Sequence, residues 1–336
     1  MRKFVALMVL FLAIVFVFLS FSELEQIVET LRDSNWIFLT FAFFFECLWL
    51  YNAAVTYAAL YRLVDLHEKR GHLLLLTLAA NFVNVVAPSA GLGGMAIFID
   101  SARRRDLPTG RVTVVGVLYV LYDYAAFLCV LTLGLVVLFR RNRLNAGELT
   151  ATAILLAIAL GVGMILVLAY KSSERLGKVL AWLARRVNSL ARPFLHRDYL
   201  DVEQAYLFAS EVADGVEVIR GKRREFFWPF LFALNNKALL ICVLAFTFLA
   251  LGTPFSVGTL VGGFSIGYLF FIVSPTPSGV GVVESILPVA LAGLRVRWAA
   301  AVLITLVYRA VTFWFPLAVG GVAFRLLQRD ERRPAS

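Results

Sequence analysis

Apolar runs of about 20 residues recur along this chain of 336 residues, and they constrain its fold more than any other feature. A helix of that length crosses a hydrocarbon core about 30 Å thick. Inside lipid, every backbone polar group must be hydrogen-bonded within the protein, so such runs fold as helices. With 61% apolar residues and one long polar segment at 171–226, the chain is predicted to be an all-α, polytopic membrane protein with roughly six to eight membrane segments.

The N-terminal stretch MRKFVALMVLFLAIVFVFLSFS has two interpretations. Arg2 and Lys3 precede an apolar stretch, as they do in a signal peptide that is later cleaved. The stretch holds about 18 apolar residues, which is long for a signal peptide and long enough for a membrane helix. A retained first span is therefore favoured over a cleaved signal.

The positive charges mark the cytoplasmic side of the membrane. The formal net charge is +10, and the arginines fall in short runs beside apolar segments. Positive-inside anchoring and anionic inner-leaflet phospholipid explain this distribution, whereas no soluble basic domain indicates nucleic acid. Residues 171–197 are predicted to form an amphipathic cytoplasmic helix. This helix either lies on the inner leaflet or packs on the membrane domain as an ordinary solvated helix. The basic residues on its polar faces are Arg175, Lys178, Arg185 and Arg186.

Two proline-glycine segments, APSAGLGGMAIFID and SPTPSGVGVVES, interrupt apolar runs. The charges of the flanking loops predict two re-entrant hairpins, of which the first enters the membrane from the cytoplasm and the second from outside. This topology places RRNR at 140–143 on the outer side, which the positive-inside rule disfavours. Pro88-Ser89-Ala90-Gly91-Leu92-Gly93 aligns with Pro277-Ser278-Gly279-Val280-Gly281 when one residue is skipped. The alignment and the opposite orientations predict inverted repeats at about 36–139 and 227–326, a pattern typical of secondary transporters. The alternative is a pair of proline-kinked packing helices.

Five ionisable residues lie inside apolar runs, where each costs roughly 2.5 to 3.5 kcal/mol unless it is paired or wet. They are Glu46, Asp123, Lys237, Glu284 and Arg309. Consecutive segments of the second repeat carry Glu284 and Arg309, which predicts that these two form an ion pair. The amides of Asn81, Asn84, Asn235 and Asn236 lie at similar depths. For all of these residues, the alternative is a structural polar cluster that holds the helices together.

Three stretches, PTPSGVGVVES, LVYRAVTFWFPLAVGG and NFVNVVAPSAGLGGMA, give the chain a family resemblance. It resembles the lysylphosphatidylglycerol synthase transmembrane-region family, also called flippase-like domain proteins. The resemblance implies a protein of the cytoplasmic membrane linked to moving lipids, such as aminoacylated phospholipids or lipid-linked sugars, between leaflets. Met95 departs from the pattern where many members carry glutamate, and Tyr119-Val120 departs where many carry Glu-Arg. The residues that match the pattern are Pro277, Gly279, Gly281, Glu284, Arg309, Pro88, Gly91, Gly93, Gly94 and Asp123.

The sequence predicts a lipid translocase that is not an enzyme and needs no cofactor. Only about a dozen residues follow the last apolar run, too few for a catalytic domain. Cys47, Cys129 and Cys242 lie singly in apolar runs, which predicts neither a disulfide framework nor a metal site. The predicted substrate-binding set adds Lys237 and Asn84 to the ten family-matched residues. The alternatives are a scaffold that positions a separate lipid-modifying enzyme through 171–197, and a glycosyltransferase that uses a lipid-linked donor.

Overall fold

The computed structural model describes residues 34–86, 92–141, 146–195, 202–218, 222, 225–274 and 276–330. Every regular element in this part of the chain is helical, which confirms the predicted all-α class. The first half contains α1 (Trp36–Leu63), α2 (Arg70–Val86), α3 (Leu92–Arg104) and α4 (Thr109–Arg140). Then come α5 (Ala146–Lys171), α6 (Ser173–Leu195), α7 (Val202–Glu217), α8 (Phe227–Ala250), α9 (Val257–Val273), α10 (Val282–Gly293), α11 (Trp298–Arg309) and α12 (Phe315–Asp330).

Five helices within the described ranges are long and apolar enough to cross a membrane. They are α1, α4, α5, α8 and the continuous unit Trp298–Arg329, in which a π-helical turn joins α11 to α12. Large apolar side chains such as Leu133, Leu160 and Val257 point outward and are more than 60% exposed. A lipid environment suits such surfaces, because lipid tails are as apolar as these side chains. The chain is therefore a multi-pass integral membrane protein, and the predicted first span lies outside the described residues.

One end of the helix bundle, here called the insert end, gathers the end of α1, the end of α3 and the polar insert. Arg105, which follows α3, forms an ion pair at 3.0 Å with Glu68, which precedes α2. The end of α3 therefore lies beside the start of α2. Lys222 of the insert donates to the Leu63 carbonyl and to the Asp65 carboxylate. This hydrogen bond lowers the pKa of Asp65 below its ordinary value. Both outer ends of the α2–α3 pair thus lie at the insert end.

The opposite, far end gathers the outer ends of the α9–α10 pair. The Asn35 N–H donates to the Ala250 carbonyl, which joins the start of α1 to the end of α8. Arg141, which follows α4, donates to Ser256 Oγ at 3.0 Å and to the Leu294 carbonyl at 3.2 Å. Ser256 is the N-cap of α9, and Leu294 follows α10. Arg141 therefore clamps both outer ends of this pair, which gives a structural reason for a basic residue in RRNR.

The two pairs present their outer ends to opposite ends of the bundle, and their re-entrant insertion as inverted repeats stays a prediction. It is tested with single cysteines in a variant whose three native cysteines are replaced by alanine. Lys69→Cys and Arg103→Cys should both react with a membrane-impermeant reagent from the cytoplasmic side, because α2 and α3 return to one face. Phe255→Cys and Arg295→Cys should react only from the other side. Labelling of Lys69→Cys and Arg103→Cys from opposite sides would contradict the hairpin.

Two apolar cores fill the bundle, with polar side chains between them at mid-length of the long helices. The core near the insert end includes Leu118 of α4, and the core near the far end includes Phe127 of the same helix. Asp123 lies between these two residues. The polar layer, as it is called below, comprises Glu46, Asn52, Asp123, Asn236, Lys237, Tyr268, Glu284 and Arg309. Most of these polar groups pair with one another, and the pairs position the candidate site.

The insert contains the predicted amphipathic helix as α6. Leu176 and Ala181 are buried, and α6 packs against α7. The basic residues Arg175, Lys178, Arg185 and Arg186 are exposed on the other faces. Trp182 is also exposed, and the Arg186 guanidinium lies 5.6 Å from its ring centre. The packed face fits an ordinary surface helix, whereas contact of the exposed face with anionic lipid stays a prediction. Three further apolar residues of the amphipathic pattern, Leu183, Val187 and Leu190, have side chains that lie outside the described part.

Candidate functional site

The break between α9 and α10 is a short turn with three positive backbone angles. Pro277–Gly279 forms one 3-10 turn, and φ is +50° at Ser278, +70° at Gly279 and +79° at Gly281. Glycine adopts positive φ without a steric penalty. At Gly279, a Cβ atom would also lie 2.7 Å from Val283 Cγ2 and 3.1 Å from Phe271 Cα, so no larger residue fits there without movement. Pro277 begins the turn, and Pro275 lies outside the described residues.

Glu284 and Arg309 hold this break in place. Glu284 lies in the first turn of α10, and its Oε2 accepts from the Gly281 N–H at 2.8 Å. Its Oε1 accepts from Arg309 Nε at 2.5 Å, so the predicted ion pair is present. Arg309 also donates to the Ser278 carbonyl at 3.1 Å. A carboxylate at a helix N-terminus is stabilised by the helix dipole, and here it also compensates a buried guanidinium.

A π-helical turn, Ala310–Trp314, follows Arg309 directly. The wider turn brings Phe313 under the guanidinium, whose central carbon lies 4.5 Å from the ring centre. Such a cation–π contact stabilises a desolvated arginine. Single π-helical turns within α-helices occur frequently at functional sites, because they change the direction of the side chains that follow. The sequence contains no pattern that predicted this turn.

A second buried ion pair joins α8 to α4. Lys237 Nζ lies 2.6 Å from Asp123 Oδ1 and donates to the Tyr268 hydroxyl at 2.6 Å. The Tyr268 hydroxyl donates in turn to Asp123 Oδ2 at 3.2 Å. The three groups form a closed triangle in which the lysine side chain is 1% exposed. Asp123 and Lys237 were predicted as site residues, whereas Tyr268 of α9 was missed because one tyrosine in an apolar run is unremarkable.

The asparagines serve mainly to join helices. Asn52 donates to the Asn236 side chain at 2.6 Å and to the Phe232 carbonyl at 2.8 Å, and so links α1 to α8. Asn235 donates to Asn52 at 3.2 Å. These contacts fit the structural alternative for Asn235 and Asn236. Asn84 of α2 instead accepts from the Gly94 N–H at 2.6 Å, so it caps the start of α3 from the preceding helix.

In the described part of the first half, Met95 and Tyr119 lie among apolar and aromatic side chains. Met95 packs against Gly116, where an added Cβ would lie 2.7 Å from the methionine Cε. Tyr119 stacks on Tyr57 with ring centres 4.2 Å apart, and Tyr57 stacks on Phe98 at 4.3 Å. Asp123 therefore finds its partner in the second half. The predicted site residues Pro88 and Gly91 lie outside the described residues, and Gly93 is half-buried near the start of α3.

A cavity of about 90 Å³ opens beside the Arg309 guanidinium, which gives it room for several water molecules. Both halves of the chain contribute to its wall. Arg309 belongs to one of the ion-paired clusters and Tyr268 to the other, and both residues line the cavity. The lining residues are Trp49, Asn81, Val85, Leu240, Gly267, Tyr268, Phe271, Ser278, Val283, Tyr308, Arg309, Thr312, Phe313 and Pro316. The broken helix thus faces a mostly apolar cavity that a few polar groups line, and irregular backbone at membrane depth is tolerated where it is buried in protein or lines a cavity.

Residues 4–320 match a protein-family model described as the lysylphosphatidylglycerol synthase TM region. The match covers nearly the whole chain, including the helices that carry both ion pairs. A comparison with curated proteins found no match.

Proposed function

We propose a lipid-transport function on the premise that the chain belongs to the lysylphosphatidylglycerol synthase transmembrane-region family. The family and the multi-span helical fold fit a lipid-related membrane protein. In this proposal, the protein moves a polar-headgroup lipid between the leaflets of the cytoplasmic membrane without changing it chemically. Aminoacylated phospholipids and lipid-linked sugars are the classes that the family suggests.

The observation that carries the proposal is a cavity at mid-length of the bundle, next to a broken helix. Its mostly apolar wall is interrupted by Arg309 of one buried ion pair and by Tyr268, which is hydrogen-bonded to the other. A protein that only anchors helices in a membrane has no need for such a cavity. Charged groups at this depth are costly and usually mark a substrate or ion pathway. The Glu284–Arg309 pair is hydrogen-bonded to the backbone of the break, and broken helices near the midplane are where secondary transporters bind substrate.

The two ion pairs supply complementary groups for a polar headgroup. Arg309 offers planar N–H donors suited to phosphate oxygens, and Glu284 offers carboxylate oxygens for an ammonium or a hydroxyl group. In the present conformation each charge is satisfied within the protein. A headgroup that carries both signs would exchange partners with the pair, which keeps the energetic cost of entering the apolar bundle low. The cavity must widen for this to occur, and the proposal places the hinge at Ser278 and Gly279, where φ is positive.

The proposal is tested by reconstituting the protein in liposomes and measuring transfer of labelled lipids between leaflets, with protein-free liposomes as control. A panel of anionic, zwitterionic, aminoacylated and sugar-linked lipids identifies the headgroup. Transfer above the control for at least one class is expected. Arg297→Gln, an exposed arginine at the far end, is a matched control for Arg309→Gln, because both remove one guanidinium. We expect loss of transfer only for Arg309→Gln, and equal loss in both variants would contradict the proposed site.

A scaffold function is the second candidate, and one observation favours it. The exposed basic face of α6 offers a docking surface for a separate lipid-modifying enzyme, as well as for anionic lipid. Absence of transfer for every lipid in the panel, from a correctly folded protein, would favour this scaffold function over transport.

A further inference from the structure

The carboxyl group of Glu46 is fully buried on α1, and neither of its oxygens has a hydrogen-bond partner in the described part of the chain. An ionised carboxylate without water, hydrogen bonds or an opposite charge is far too costly to maintain in an apolar interior. A neutral carboxylic acid is the form that such an environment tolerates. The structural-cluster interpretation predicts hydrogen bonds to neighbouring helices, and Glu46 makes none with the described residues.

The charge balance of the polar layer leads to the same conclusion. Asp123 is neutralised by Lys237, and Glu284 is neutralised by Arg309. Glu46 is the third acid in a layer whose two basic residues are already paired. Ionisation of Glu46 in this conformation would therefore add a negative charge with no counter-charge among the described residues of the layer.

Glu46 lies next to the wall of the cavity. Trp49, one turn after Glu46 on the same side of α1, lines the cavity. Phe43, one turn before Glu46, packs edge-on against Phe315 with 5.2 Å between the ring centres. The side of α1 that carries Glu46 thus faces the π-helical turn and the start of α12. Tyr308, which also lines the cavity, is within electrostatic range of Glu46.

The described titratable and charged groups around Glu46 provide it with neither a hydrogen-bond partner nor a free counter-charge. Within electrostatic range lie its neighbour Cys47 and Tyr308 of α11. Among the described elements that contact α1, the π-helical turn contributes no titratable or charged group, and α8 contributes Lys237 and Cys242. Near the insert end, α2 contributes Arg70 and His72. The groups on α4 are Asp123, Tyr119, Tyr122, Tyr124 and Cys129 along the helix, with Arg111 and Arg140 at its ends. Arg309, which precedes that turn, is bonded to Glu284.

We propose that Glu46 is a proton-binding site, occupied in this conformation and emptied when the π-helical turn moves and opens the site to the cavity. In that step the O–H bond of the acid breaks, a cavity water accepts the proton, and the carboxylate keeps the electron pair. The carboxylate is then stabilised by water and competes with Glu284 for Arg309. Coupling of this step to lipid movement rests on the proposed function, whereas proton binding itself does not.

Proton binding is tested by infrared spectroscopy of the reconstituted full-length protein. At neutral pH the wild type should show the C=O stretch of a protonated carboxyl, and Glu46→Gln should lack that band. Glu46→Met, an apolar residue of similar length, serves in the same way if the glutamine variant does not fold. An identical band in the wild type and in the variant would overturn the proposal. Absence of the band from the wild type would also overturn it, and stabilisation of the wild type by sodium ions would then identify a cation as the occupant of the site.

Coupling is tested by lipid transfer under an imposed pH gradient. If one proton moves per lipid, the wild-type rate should change by up to about tenfold per pH unit, whereas the rate of Glu46→Gln should not respond. A wild-type protein whose transfer ignores the gradient would overturn the coupling and leave the proton site intact. A wild type that transfers no lipid in any condition would overturn the proposed function, and the infrared result would still decide the proton site.

Discussion

Replacing Lys237 by methionine is expected to destabilise the protein by about 3–5 kcal/mol, because it leaves the Asp123 carboxylate buried without its counter-charge. Methionine keeps the length and the apolar stem of the side chain, so the packing of α8 changes little. The Tyr268 hydroxyl loses its donor as well, which opens the triangle that joins α4, α8 and α9. The measurement is the thermal unfolding midpoint in detergent, together with the yield of monodisperse protein.

Two further variants separate this effect from a general effect of losing a lysine. Lys178→Met removes a lysine from an ion pair with Glu174 on the surface of α6, where both side chains are largely exposed, and we expect little change. Lys237→Met combined with Asp123→Asn should recover much of the lost stability, because no buried charge then remains unpaired. If the double variant is as unstable as Lys237→Met, the buried charge is not the cause and the side-chain volume of Lys237 matters instead.

The helices were largely predictable from the sequence, since length and apolarity alone decide whether a segment spans lipid. The apolar runs 227–251 and 149–170 predict membrane helices, and the structure has them as α8, Phe227–Ala250, and the longer α5, Ala146–Lys171. The prolines and glycines before Glu284 predict that it lies in the first turn of a half-helix, and the structure confirms that position. Local chemistry was sufficient in these cases.

Pairing between distant helices was less predictable, because the sequence lists ionisable residues without their partners. Three acids and two bases allow several pairings, and the sequence did not indicate that Glu46 would be the acid left alone. Tyr268 and Asn52 are single polar residues in apolar runs, and only their tertiary contacts give them a role. Arg141 contradicted the charge rule until its hydrogen bonds showed that it caps two other elements.

Replacing Glu284 by glutamine is expected to lower lipid transfer at least about tenfold, equivalent to roughly 1.4 kcal/mol of lost transition-state stabilisation. Glutamine has the shape of glutamate and can still accept from the Gly281 N–H, so the cap of α10 survives. Its neutral amide no longer balances Arg309. That guanidinium keeps its bond to the Ser278 carbonyl and borders the cavity, so we expect the variant to insert and fold. Transfer is measured in liposomes that contain equal amounts of folded protein.

The double variant Glu284→Gln with Arg309→Gln distinguishes a structural pair from a binding pair. If Glu284 serves only to neutralise Arg309, removing both charges restores the balance, and transfer should return close to the wild-type rate. If the pair contacts the headgroup, the double variant lacks both partners of the lipid and should transfer it no faster than either single variant. We expect the second result, because both residues meet at the break in α9–α10, where Arg309 and Ser278 line the cavity. A Glu284→Gln protein that transfers lipid at the wild-type rate would show that the carboxylate only caps α10.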